Sequence, residues 1–122
     1  MIHHRKLAES FKYAFNGLWL AISENQNLRI HFLFAIVVAI LGIIFRINAF
    51  ELGILGITIL LVIAAEMINT AIEEVVDLVT TEHRKEAKRA KDVAAGMVLV
   101  TAMGSVIVGI LIFTPHILKI FH

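Results

Sequence analysis

Three long apolar runs, each the core of a helix able to cross a lipid bilayer, constrain this chain more than any other feature. Leu28 to Phe45 is apolar except for Arg29 and His31 near its start. Leu52 to Ala65 carries no charge, and the chain from Val93 is again apolar as far as Ile112. Backbone placed in hydrocarbon must satisfy its own hydrogen bonds, and a run of this length does so as a helix. At 1.5 Å per residue, residues 28–45 reach about 27 Å, close to the roughly 30 Å of a bilayer core. Hydrophobic residues make up 59% of the 122, and mean hydropathy is +0.87, far above an ordinary soluble domain. The predicted fold is an all-α membrane protein of one domain, residues 1–122. It has an N-terminal amphipathic surface helix at 5–22 and transmembrane helices at about 28–45, 52–79 and 93–114, with Pro115 near the end of the last.

The surface helix follows from spacing. Leu7, Phe11, Ala14, Phe15, Leu18, Trp19 and Ile22 recur every three or four residues, while Lys6, Glu9, Lys12, Asn16 and Ser23 mostly take the other side. Such a helix is too polar to span and belongs in the interfacial plane. Glu24-Asn25-Gln26-Asn27 breaks the pattern, Arg46 to Glu51 is a short polar turn, and Thr80 to Lys91 is a charged, soluble connection. Lysine and arginine concentrate before the first span and between the second and third, with Arg46 and Lys119 on the opposite side. The positive-inside rule places the N-terminus and the 80–91 segment in the cytoplasm. The net charge of +1 gives no reason to expect a nucleic-acid partner, and the absence of cysteine excludes thiolate metal sites. Small residues along the second and third spans (Gly53, Gly56, Ala64 and Ala65; Ala94 to Gly96, Ala102, Gly104, Ser105 and Gly109) allow close helix approach and point to a homo-oligomer.

The second span then runs into acids: Glu66, Asn69, Glu73 and Asp77 follow its apolar part. At 100° per residue these sit at about 0°, 300°, 340° and 20°, one narrow arc of a helix. A carboxylate at bilayer depth costs roughly 2.5–3.5 kcal/mol on insertion scales. Glu66 is the deepest and suits a base that takes a proton from a hydroxyl; its other reading is a structural acid hydrogen-bonded between helices. Glu73 suits Mg²⁺, which binds one or two carboxylates together with substrate phosphates. Glu74, turned by about 100°, reads as a solvated or structural acid. Asp77 assists the metal or pairs with the basic segment. The five cations between Glu82 and Asp92 suit a polyphosphate, although any cytoplasmic connection is basic. Neither a P-loop nor a protein-kinase motif is present.

The stretch Glu66-Met67-Ile68-Asn69-Thr70-Ala71-Ile72-Glu73-Glu74-Val75-Val76-Asp77 resembles the signature Glu-x-x-Asn-Ser/Thr-Ala-Ile-Glu-x-x-x-Asp of the prokaryotic diacylglycerol kinases. Arg89-Ala90-Lys91-Asp92 resembles a second block of that family, and the likeness covers nearly the whole chain. The resemblance implies a homotrimer in the inner (cytoplasmic) membrane, its sites shared between subunits, that transfers the γ-phosphate of MgATP to a lipid hydroxyl. It implies Glu66 as general base, Glu73 as metal ligand and Asn69 as a polar residue of the site. Lys91 and Asp92 match nucleotide contacts, Glu82 and Arg84 match further ones, and Lys6 and Tyr13 match positions on the surface helix that reach the nucleotide.

One position departs from the pattern. The family's second metal-binding carboxylate lies four residues before the basic residue of the first span, which is Asn25 here, with Glu24 one residue earlier. Either Glu24 supplies that ligand or the metal is held without its charge. Asn27-Leu28-Arg29-Ile30-His31 resembles the branch that includes undecaprenol kinases. The expected reaction is phosphorylation of diacylglycerol to phosphatidic acid, with undecaprenol as the alternative acceptor. A reading of another class is a small oligomeric proton or cation carrier with Glu66 and Asn69 as its ion site.

Overall fold

A computed structural model describes residues 4–122, with side chains from Lys6 onward. Four helices make up the fold: α1 (His4–Glu24), α2 (Gln26–Ile44), α3 (Ala49–Val79) and α4 (Lys85–Ile120). The last three are long and apolar enough to cross a membrane. No strand occurs among the described residues.

The helices outrun the apolar runs that announce them, and caps explain where they stop. Between α1 and α2 only Asn25 leaves the helical conformation, so the expected four-residue break is a single residue. Its side chain accepts from the backbone N–H of Asn27 and Leu28, which satisfies donors that the start of a helix leaves open. At the other end of α2 the chain closes a Schellman turn: Ile47 N donates to Gly42 O at 3.0 Å and Arg46 N to Ile43 O at 3.2 Å. Arg46 takes the left-handed position of that turn, φ 56°, where glycine is the usual occupant. Gly42 lies at a close approach instead: a Cβ there would stand 2.9 Å from Leu52 Cδ2, and that side chain would have to move aside. Asn48 caps α3 through Glu51 N at 2.8 Å, so the helix begins inside the expected turn. The charged connection shortens in the same way. Residues 85–91 are helical and continuous with the third span, and Pro115 lies within α4.

Packing is densest between α3 and α4, with α2 laid against α3 and α1 against α2. Ile47, Leu55 and Ile112 form a small buried cluster near the α2–α3 turn, covered by Val38, Phe45, Leu52 and Phe113. Phe45 and Phe113 meet edge to face there, ring centres 6.1 Å apart. His116 and Glu51 pair at 3.2 Å near the same end. Large apolar side chains such as Leu33, Phe34, Ile57, Leu60, Val100 and Leu111 stand on the outside. Surface of that kind is stable only against lipid or other protein. At the far end, α3 extends thirteen residues past Glu66 to Val79, about 20 Å.

Candidate functional site

The site is built where α2 begins and α3 continues. Asn25 donates from Nδ2 to Glu66 Oε1 at 3.1 Å, so the acid stands level with the first turn of α2. Glu66 is 3% exposed. It therefore lies at the mouth of the span, while Glu73 and Asp77 follow along the part of α3 that extends beyond α2. These residues line one cavity of about 420 Å³ together with Glu24, Asn25, Asn69 and Thr70. The structure thus gathers the base expected from sequence, the polar Asn69 and both expected metal carboxylates, Glu73 and Glu24. Glu74, expected to be a solvated or structural acid, also lines this cavity.

Asn69 carries a signal of its own. It is nine-tenths buried, and its Nδ2 donates to Glu73 Oε1 at 3.4 Å. Its Oδ1 is buried without any hydrogen-bond partner. Leaving such an acceptor unmade costs about 1–3 kcal/mol, so a group that supplies a donor or a cation is favoured there. Two carboxylates and an amide oxygen make a hard, all-oxygen donor set that fits Mg²⁺. Among the described residues no three His, Cys, Asp or Glu side chains converge as a self-sufficient metal cage.

A second cavity, about 670 Å³, adjoins the first and shares Asp77 with it. It collects Glu82, Arg84, Lys91 and Asp92, four residues that the sequence reading assigned to nucleotide. Each is paired within the chain. Lys91 Nζ donates to Asp77 Oδ1 at 2.6 Å, Lys88 to Asp92 Oδ2 at 2.6 Å, and Arg84 Nε to Glu82 Oε2 at 3.1 Å. The hydrogen bond to Asp92, then its charge, raises the Lys88 ammonium above its ordinary value, so Lys88 stays charged through neutral pH. All these groups are exposed or half-buried, so the pairs exchange readily with an incoming polyanion. Asp77 is thereby the partner of a cation. Lys6 and Tyr13 are exposed on α1 and line neither cavity.

Two contributors, Thr70 and His31, are not singled out by the sequence, and a third, Asn25, takes a role other than the expected one. Thr70 accepts from Asn25 Nδ2 at 2.6 Å and donates to Glu66 O at 3.0 Å; its place one turn after Glu66 was the available clue. His31 Nε2 stands 4.0 Å from Glu66 Oε2. It also lines an apolar groove of about 500 Å³ with Phe34, Val38, Thr58 and Val62. Asn25 had been weighed only as a metal ligand, although asparagine just before an apolar run is a helix-start signal.

Residues 12–113 match the family described as prokaryotic diacylglycerol kinase. The chain is 39% identical over 109 residues to an undecaprenol kinase of Bacillus subtilis, covering 89% of each. It is 38% identical over 115 residues to a diacylglycerol kinase of Synechocystis, covering 93% of this chain and 66% of that one. A diacylglycerol kinase of Haemophilus influenzae is 32% identical over 109 residues, covering 88% of this chain and 92% of its own length. The family match runs from within α1 into α4 and includes the residues of both cavities, and the chain belongs to the prokaryotic diacylglycerol kinase family.

Proposed function

We propose that the protein is a membrane lipid kinase that transfers the γ-phosphoryl group of ATP directly to a primary hydroxyl on an apolar tail. The observation that carries this reading is the joined pair of cavities. One holds the buried Glu66 at the end of a span, the other is lined by cations, and Asp77 connects them. In the proposed step the lipid oxygen attacks the γ-phosphorus as its proton passes to the Glu66 carboxylate. The bond from γ-phosphorus to the β–γ bridging oxygen breaks, and ADP leaves. Lys91, Arg84 and neighbouring groups exchange their internal pairs for phosphate oxygens and hold the nucleotide in line. Glu73, Glu24 and the open Asn69 Oδ1 would hold Mg²⁺, which when bound neutralises charge on the β- and γ-phosphates. The groove beginning beside His31 gives the acceptor tail an apolar path next to the base.

The remaining features belong to the same reading. Phe11, Phe15 and Trp19 are exposed on α1, which suits a helix resting on the cytoplasmic face of the inner membrane. Lys6 and Tyr13 on that helix serve a nucleotide site completed between subunits, in a homotrimer whose exposed span faces meet one another and lipid. A proton or cation carrier would leave the basic cavity without purpose.

Diacylglycerol, giving phosphatidic acid, is the proposed acceptor. Undecaprenol is a second reading, favoured by the 39% identity to the Bacillus subtilis undecaprenol kinase and by the segment Asn27 to His31. Purified protein in lipid, given radiolabelled ATP, Mg²⁺ and both acceptors side by side, decides the matter. Label in neither lipid overturns the kinase reading, and the labelled product names the acceptor.

A further inference from the structure

Asn25 stands where the family resemblance expects a metal-binding carboxylate, yet its geometry leaves nothing for a metal. Its Oδ1 accepts from Asn27 N at 2.9 Å and Leu28 N at 3.3 Å. Its Nδ2 donates to Glu66 Oε1 at 3.1 Å and Thr70 Oγ1 at 2.6 Å. A carboxamide has two acceptor lone pairs and two donor hydrogens, and all four are in use. From these bonds, and resting on the lipid-kinase reading above, we infer that Asn25 is the positioning residue of the catalytic base. It aims the Glu66 carboxylate, and the metal ligand on this side of the cavity is Glu24.

The bond joins residues 41 apart and pins the start of α2 to α3 at the reacting acid. Thr70, held between Asn25 Nδ2 and the Glu66 carbonyl, fixes the direction of the amide. A carboxylate at position 25 would cap α2 equally well but would face Glu66 with no proton to donate. Asparagine therefore supplies one thing that the expected acid lacks, a neutral donor to the base. A base displaced by a fraction of an ångström from the hydroxyl loses much of its effect.

Asn25→Asp and Asn25→Ser separate this role from capping, because Asp and Ser are about as good as Asn at the N-cap. The Asp carboxylate and the short Ser side chain both fail to donate to Glu66 while capping. The measurement is kcat and KM for MgATP in reconstituted protein, with the melting temperature of each variant. We expect kcat, measured where each variant is still fully folded, to fall about tenfold in both variants, KM to stay within about twofold, and melting to drop by several degrees for the bonds lost to Glu66 and Thr70. In Asn25→Ala kcat falls as well, and melting falls further because the cap is also lost. A kcat within threefold of wild type in either capping variant overturns the inference. So does an Asn25→Asp protein that works at lower Mg²⁺ than wild type, and so does a loss of kcat matched by a loss of folded protein. Wild-type transfer is measured first: an inactive wild type sinks the kinase reading, whereas active wild type with active variants sinks only the role of Asn25.

Discussion

Glu66→Gln is the most direct test of the chemistry, because the structure lets the base be removed with little else disturbed. Glutamine has the shape of glutamate and retains an oxygen to accept the Asn25 amide, now held at 3.1 Å. The group that replaces Oε2 would face His31 Nε2, now 4.0 Å away, and an imidazole can accept from it in one tautomer. Exchanging a charged for a neutral acceptor in one hydrogen bond changes stability by about 1 kcal/mol. General-base assistance contributes about 10²–10⁴-fold, or roughly 2.7–5.4 kcal/mol of barrier at 1.36 kcal/mol per decade. We therefore expect kcat for lipid phosphorylation to drop at least about a hundredfold, with KM for MgATP within about threefold and melting nearly unchanged. The assay is transfer of label from ATP to lipid in reconstituted protein, with unfolding followed in the same detergent. A Glu66→Gln protein that melts like wild type and turns over within threefold of it would falsify the base assignment.

Further outcomes follow from other contacts. Lys91→Met removes a charged donor, now on Asp77 at 2.6 Å; KM for MgATP should rise about tenfold or more with little change in melting, since exposed pairs contribute at most about 1 kcal/mol. Glu24→Gln and Glu73→Gln should each raise the Mg²⁺ concentration for half-maximal rate by about tenfold, read from a Mg²⁺ titration at saturating ATP; an unchanged titration for Glu24→Gln removes it from the metal site. Arg46→Gly relieves a left-handed backbone at φ 56° on the face away from both cavities, and should stabilise the protein by about 1 kcal/mol with unaltered turnover.

The membrane-spanning helices and the acid stripe were legible in the linear chain because both obey local rules. Hydrocarbon thickness selects a length, and a helical period of 3.6 assigns Glu66, Asn69, Glu73 and Asp77 to one face before any neighbour is known. Helix ends were less legible. Capping by Asn25 and Asn48, the Schellman turn at Arg46 and the helical residues 85–91 depend on which backbone groups find partners. What faces the stripe was legible only in part: Glu24 was expected beside Glu73, but the bond from Asn25 to Glu66 was not. Asn25 could be read as a substitute ligand or as a helix cap, and its composition is the same either way. Only the approach of α2 to α3 turns its amide onto Glu66, brings Thr70 beneath it and sets His31 at the edge of the apolar groove. Periodicity tells each helix which side is polar; contact between helices, made by residues far apart in the chain, determines which polar atom meets which.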